Sequence, residues 1–137
     1  MHSKRKGNIG QFGVGLALTK LGYSVFTEEG DISKIDLIAE KDGKLIKIQA
    51  KSITPVNGQI PIPLKKSGPN YQFYYDADMF DYFAIYDLED GKVYLVSSDI
   101  LKTHNTQFNL RKNPPKNNQE HSINMARDYL IDKVLGT

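Results

Sequence analysis

The stretch "IDLIAEKDGKLIKIQAKS", residues 35–52, constrains the fold more than any other part of the chain. Apolar and polar residues alternate on both sides of Asp42-Gly43, the pair that tight two-residue hairpin turns favour. With that pair at the turn, Lys41 faces Lys44, and Asp36 lies opposite Gln49 with Cβ atoms roughly 5 Å apart. Ile35, Leu37, Ala39, Ile46, Ile48 and Ala50 then share one face, which should be core. The other face carries Asp36, Gln49 and Lys51, because strand side chains alternate. A slip of one residue would bury that polar row, so the register is well determined.

A carboxylate, an amide and an ammonium in one cluster are the parts of a metal-dependent phosphodiester hydrolase. Asp36 offers an anionic oxygen to Mg²⁺, and the Gln49 side-chain oxygen and the Ala50 carbonyl offer neutral ligands. Lys51 would orient the attacking water and stabilise developing negative charge, while the metal (Mg²⁺ or Mn²⁺) lowers the pKa of that water. The plainer reading makes Asp36 a surface partner of Lys34 or Lys51, and Lys51 a solvated strand lysine. The grouping of all three on one face favours the site.

Around this hairpin the pattern reads as α-β-β-β, then β-β-α, a single α/β domain over residues 1–137 with a mixed sheet flanked by helices. Residues 8–21 form an apolar-faced helix, with Ile9, Phe12, Val14, Leu16, Leu18 and Leu21 at spacings of three and four. Asn8 is the expected N-cap and Gly22 the expected stop. Gly10, Gly13 and Gly15 would each cost ~1 kcal/mol in a helix interior, which implies close packing against a neighbour. Residues 23–29 form a short strand, and 81–98 a second hairpin around Asp90-Gly91. Residues 99–103 make a short helix, and 123–135 a closing helix with Ile123, Ala126, Leu130 and Val134 on one side. Between these, 52–75 and 105–122 read as long loops broken by prolines.

The composition fits one globular domain: 137 residues, 39% hydrophobic and 25% charged. There is no cysteine, which removes disulfides and thiolate chemistry. No apolar run approaches the ~18 residues a membrane span needs, and no signal-peptide core opens the chain, so an intracellular location is the default. The net charge of +2 conceals basic clusters that suit a polyanion. Lys4, Arg5 and Lys6 form one, and Arg111, Lys112 and Lys116 another. Within 53–75, Lys65 and Lys66 could contact phosphates, with Gln59, Asn70, Tyr71 and Gln72 in a groove. The loops 53–75 and 104–121 are thus the expected DNA contacts. His2, His104 and His121 show no metal-ligand spacing.

The placement of Ile35-Asp36 on one strand and Gln49-Ala50-Lys51 on the next resembles the PD-(D/E)XK nuclease superfamily. "GNIGQFGVGLALTKLGYSVF", "KIDLIAE" and "KIQAKS" are most similar to an intron-encoded homing endonuclease of cyanobacteria. The resemblance implies a restriction-endonuclease-like core, Mg²⁺-dependent cleavage of double-stranded DNA, and at least a dimer, or a tetramer built from two dimers. It also gives Gln11 a role, since relatives carry there a helix Glu that completes the metal site. With Gln at both 11 and 49, Asp36 is the one anion of the motif, so cleavage should be impaired, whether the change is engineered or natural. Two other readings remain open: a four-way-junction resolvase, and a non-catalytic DNA-binding module on the same fold.

Overall fold

The computed structural model describes residues 1–30, 32–115 and 123–136. Helix α1 spans Ser3–Lys20 and is followed by strands β1 (Ser24–Phe26), β2 (Leu37–Lys41) and β3 (Lys44–Ile53). The chain then forms β4 (Gln59–Pro63), β5 (Lys65–Gly68), β6 (Tyr71–Tyr74), β7 (Tyr82–Asp87) and β8 (Val93–Ser97). A 3-10 turn at Ser98–Lys102, strand β9 (Gln107–Arg111), a second 3-10 turn at Ala126–Tyr129 and helix α2 (Ile131–Leu135) complete it. Among the described residues, no helix is long and apolar enough to cross a membrane.

The central sheet has five strands in the order β1-β2-β3-β7-β8, with β3 and β7 parallel and the other pairs antiparallel. Asp42 and Gly43 take positive φ (52° and 83°), as a turn with both central residues left-handed requires, and Leu37↔Ile48 through Lys41↔Lys44 pair in the expected register. The second hairpin also forms, with Asp87 and Lys92 joined across its loop and Gly91 at φ 78°.

Three expectations need correction. Helix α1 begins well before Asn8: the basic arm is its first turn, and the His2 ring caps it by accepting from Lys4 N at 3.1 Å. Its stop at Gly22 (φ 92°) is as expected. The closing helix is broken, because Leu130 is extended (ψ 138°) to bridge Tyr94, leaving only a 3-10 turn and the short α2. The two long "loops" contain strands. β4 and β9 form a ribbon with Ile60 and Ile62 buried against Phe108 and Leu110, and β5 and β6 form another. Pro61 and Pro63 are tolerated in β4 because Gly58 and Leu64 carry ladder bonds at even positions, so odd positions lack only an outward-facing donor.

These ribbons change the surroundings of the polar row. Val14 and Leu18 of α1 pack with Leu37, Ala39, Ile48, Ala84 and Leu95 on one sheet face. The opposite face, which carries the polar row, is covered by a second core of Ile60, Ile62, Leu64, Tyr75, Phe80, Phe83, Ile85 and Val96. Helix α1 lies close because Gly10 and Gly13 have no side chains: a Cβ at either would run into Ser52 or the Tyr86 ring. The broad apolar helix face is narrower than expected, with Phe12 75% and Leu16 57% exposed.

Candidate active site

The hairpin's two strands have unequal length, and the site forms where the shorter one ends. β2 begins at Leu37, whereas β3 runs on to Ile53. Beyond Leu37 the Asp36 side chain takes over from the backbone: its Oδ2 accepts from Ala50 N at 2.8 Å, while Asp36 N donates to Ile48 O at 2.8 Å. The strands splay there, and a cleft of about 530 Å³ opens between the first turns of α1, this end of the hairpin and the β5–β6 ribbon. Gln11, Asp36, Gln49 and Ala50 all line it, so these expected metal-site residues converge from helix α1, the approach to β2 and strand β3.

Gln49 is the telling member. It is only 7% exposed, and its Oε1 is buried with no hydrogen-bond partner among the described residues, although the residue borders the cleft. A buried acceptor left without a donor costs ~1–3 kcal/mol, and a hard cation is one group that would satisfy it. Asp36 adds an anionic oxygen and Ala50 a carbonyl, so the donor set is all oxygen and fits Mg²⁺ or Mn²⁺. Among the described residues, no group of three or more His, Cys, Asp or Glu side chains could hold a metal, so any ion would rely on amide and carbonyl oxygens too.

Lys51 follows on the same strand face but is turned into the second core. Its Nζ lies 3.3 Å from the Tyr75 hydroxyl, to which it can donate, and 4.7 Å and 5.7 Å above the Tyr75 and Phe83 rings. Burial, reinforced by the charge of Lys66 and opposed by Asp36, lowers its pKa from 10.5 to about 8. The plainer reading of a solvated strand lysine is therefore replaced by a half-desolvated one beside the site. Burial, with the Asp36 charge adding to it, pushes the Tyr75 phenol up to about 12, so this hydroxyl stays protonated. Sequence reasoning did not single out Tyr75.

The expected DNA contacts divide into groups. Lys4 and Lys66 line the cleft, and Arg5 is exposed on the same first turns of α1. Lys6 gives its carbonyl to Ser52 Oγ at 2.6 Å. Lys65, Lys66, Asn70, Tyr71 and Gln72 belong to the β5–β6 ribbon, where Tyr71 is 60% exposed. Gln59 and Arg111 are cross-strand partners on the β4–β9 ribbon and line a separate pocket. Lys112 is a correction: it is held by Asp87 (2.8 Å), Glu89 (2.9 Å) and Asp90 (3.2 Å). Burial lowers its pKa, but hydrogen bonds to those three carboxylates outweigh that and leave it raised. Asp87, Glu89 and Asp90 thus share an internal cation, and Lys112 is a structural one. Lys116 and His121 lie outside the described residues.

An Asp, a helix residue and the first two residues of a Gln-x-Lys triplet line one cleft, while the Lys of that triplet is turned into the adjoining core. The chain belongs to the PD-(D/E)XK endonuclease family, whose model matches residues 1–132. Among solved structures, a bacterial homing endonuclease, I-Ssp6803I, superposes with a TM-score of 0.82 over 98% of this chain and 93% of that one, at 20% identity. No curated protein matches the sequence.

Proposed function

We propose that the chain is a site-specific, Mg²⁺-dependent (or Mn²⁺-dependent) endonuclease of double-stranded DNA, of the homing type. The observation that carries this is the convergence of Asp36, Gln49 and Ala50 in one cleft flanked by Lys4 and Lys66, with the Gln49 Oε1 buried and unpartnered among the described residues. Asp36, Gln49 Oε1 and the Ala50 carbonyl would hold the ion. Bound there, it would supply Lewis-acid polarisation of the phosphate and a more acidic water. Lys51 brings a positive charge in a poorly hydrated setting, where it stabilises developing negative charge more strongly than it would in water. Tyr75 fixes its ammonium, and Phe83 keeps bulk water from it. Lys4 and Lys66 at the cleft attract backbone phosphates. The β5–β6 ribbon offers Asn70, Tyr71 and Gln72 toward a groove.

Cutting both strands takes two sites, so the working form is at least a homodimer, and a dimer of dimers would reach a longer target. Gln11 supports a slow enzyme: it borders the cleft with an amide where a carboxylate would add charge. Cleavage by the chain and by Gln11→Glu, with Mg²⁺ and on both linear duplex and four-way junctions, is the direct check. Faster Mg²⁺-dependent cutting of duplex by Gln11→Glu is expected. A preference for junctions would make it a resolvase. Tight sequence-specific binding with no cleavage by either form would leave a DNA-binding module.

A further inference from the structure

A second carboxylate borders the same cleft, and none of the motif positions includes it. Glu28 lies just past β1 and lines the cleft together with Asp36, Gln49, Ala50 and Gln11. The sheet register explains how it arrives there. Phe26 pairs with Ile38, so the residues two beyond each, Glu28 and Asp36, leave the sheet at the same level. Its side chain is also oriented: Oε1 accepts from Ile32 N at 2.6 Å and Ser33 N at 2.7 Å. Those two N–H groups hold the carboxylate in one orientation. Gln49, whose Oε1 is buried and has no hydrogen-bond partner among the described residues, lines this cleft too.

We infer that Glu28 is the second anionic ligand of the divalent-ion site, supplying from the β1–β2 connection the charge that Gln11 does not supply from helix α1. The inference rests on the reading of the cleft as a cation site. Two carboxylates and two neutral oxygens form a donor set that competes for a hard divalent ion far better than one carboxylate does, since affinity follows ligand charge. On this assignment the chain as it stands holds its ion and cuts slowly, and Gln11→Glu would add a third charge to the site.

The test uses the full chain and Mn²⁺ alone, by isothermal titration, with Glu28→Gln, Asp36→Asn and, at an exposed carboxylate outside the cleft, Glu29→Gln beside the unaltered protein. Gln is chosen because its amide oxygen can still accept from Ile32 and Ser33, so the loop keeps its anchor. Glu28→Gln should weaken Mn²⁺ binding about tenfold or more, as Asp36→Asn does, while Glu29→Gln changes it little. Without metal its melting temperature should equal the parent's, and the rise that Mn²⁺ produces should shrink. If Glu28→Gln lowers the metal-free melting temperature, Ser33→Pro decides, because it removes one donor to Glu28 and keeps the carboxylate. Parent-like Mn²⁺ affinity in Ser33→Pro supports the assignment; affinity as weak as that of Glu28→Gln overturns it. Parent-like binding by Glu28→Gln while Asp36→Asn loses Mn²⁺ removes Glu28 and leaves the cleft reading intact. Binding untouched by either change, or absent in the parent, overturns both.

Discussion

At the residue scale, Lys51 joins the fold and the chemistry, because the second core that covers the sheet also desolvates it. Its pKa is lowered, by burial first and by Lys66 second, to about 8. A lysine that is easier to deprotonate when folded costs stability wherever the unfolded chain would keep it protonated. The cost is fully present below about 8 and disappears as pH rises toward the unfolded value of 10.5. Lys51→Met should therefore be more stable than the parent at about pH 7, with an advantage that shrinks by about pH 10 in denaturant titrations. An advantage independent of pH would show that this lysine is not desolvated. Lys66→Ala should raise the Lys51 pKa, read by following its side-chain resonances with pH; an unmoved titration would remove the Lys66 influence. The position of Lys51 on the polar strand face was legible from alternation alone. Its aromatic surroundings were not, because Tyr75 and Phe83 come from elsewhere in the chain. Glu28 was hidden for a similar reason: only the β1–β2 register brings it level with Asp36.

At the element scale, helix α1 carries Gln11 to the cleft only because it lies close against β3 and β7. Gly10→Ala and Gly13→Ala would press a methyl into Ser52 or the Tyr86 ring, and each should cost ~1–3 kcal/mol through overpacking despite the better helix propensity. Gly7→Ala, with nothing within 4 Å, should instead stabilise by ~0.5–1 kcal/mol. Thermal melts of the three variants compare these directly, and a uniform gain would contradict the close approach. Basic residues separate in the same way. Lys66→Ala should weaken DNA binding and flatten its salt dependence. Lys112→Ala should leave the salt slope unchanged but lose roughly 3 kcal/mol of stability, because Asp87 is fully buried and would lose its cation. A reduced salt slope in Lys112→Ala would return that residue to the interface. The central hairpin and its register were readable because alternation and an Asp-Gly turn agree. The β4–β9 ribbon was missed because Pro61 and Pro63 argue against a strand, although Ile60/Ile62 and Phe108/Leu110 alternate as buried strands do. The closing helix failed for the opposite reason: its apolar spacing is helical, but the bridge from Leu130 to Tyr94 requires extended backbone.

At the scale of the whole molecule, the five-stranded mixed sheet holds the cleft at one end of its central hairpin. Two cores, one on each face, make that hairpin a rigid support, and rigid elements hold reacting groups more accurately than loops do. One chain of this size presents one such cleft. Sedimentation should accordingly show a dimer or larger species, and a strictly monomeric chain that still cuts both strands together would contradict the two-site account. The central claim is that Asp36 and its neighbours form a divalent-ion site that cleaves DNA at chosen positions. Its most direct test treats genomic DNA of mixed sequence with Mg²⁺ and the unaltered chain, Gln11→Glu or Asp36→Asn, then sequences every new end. Discrete ends that are more abundant with Gln11→Glu, and absent with Asp36→Asn or without Mg²⁺, are expected. No discrete ends from either of the first two proteins, or ends that persist with Asp36→Asn, would contradict it.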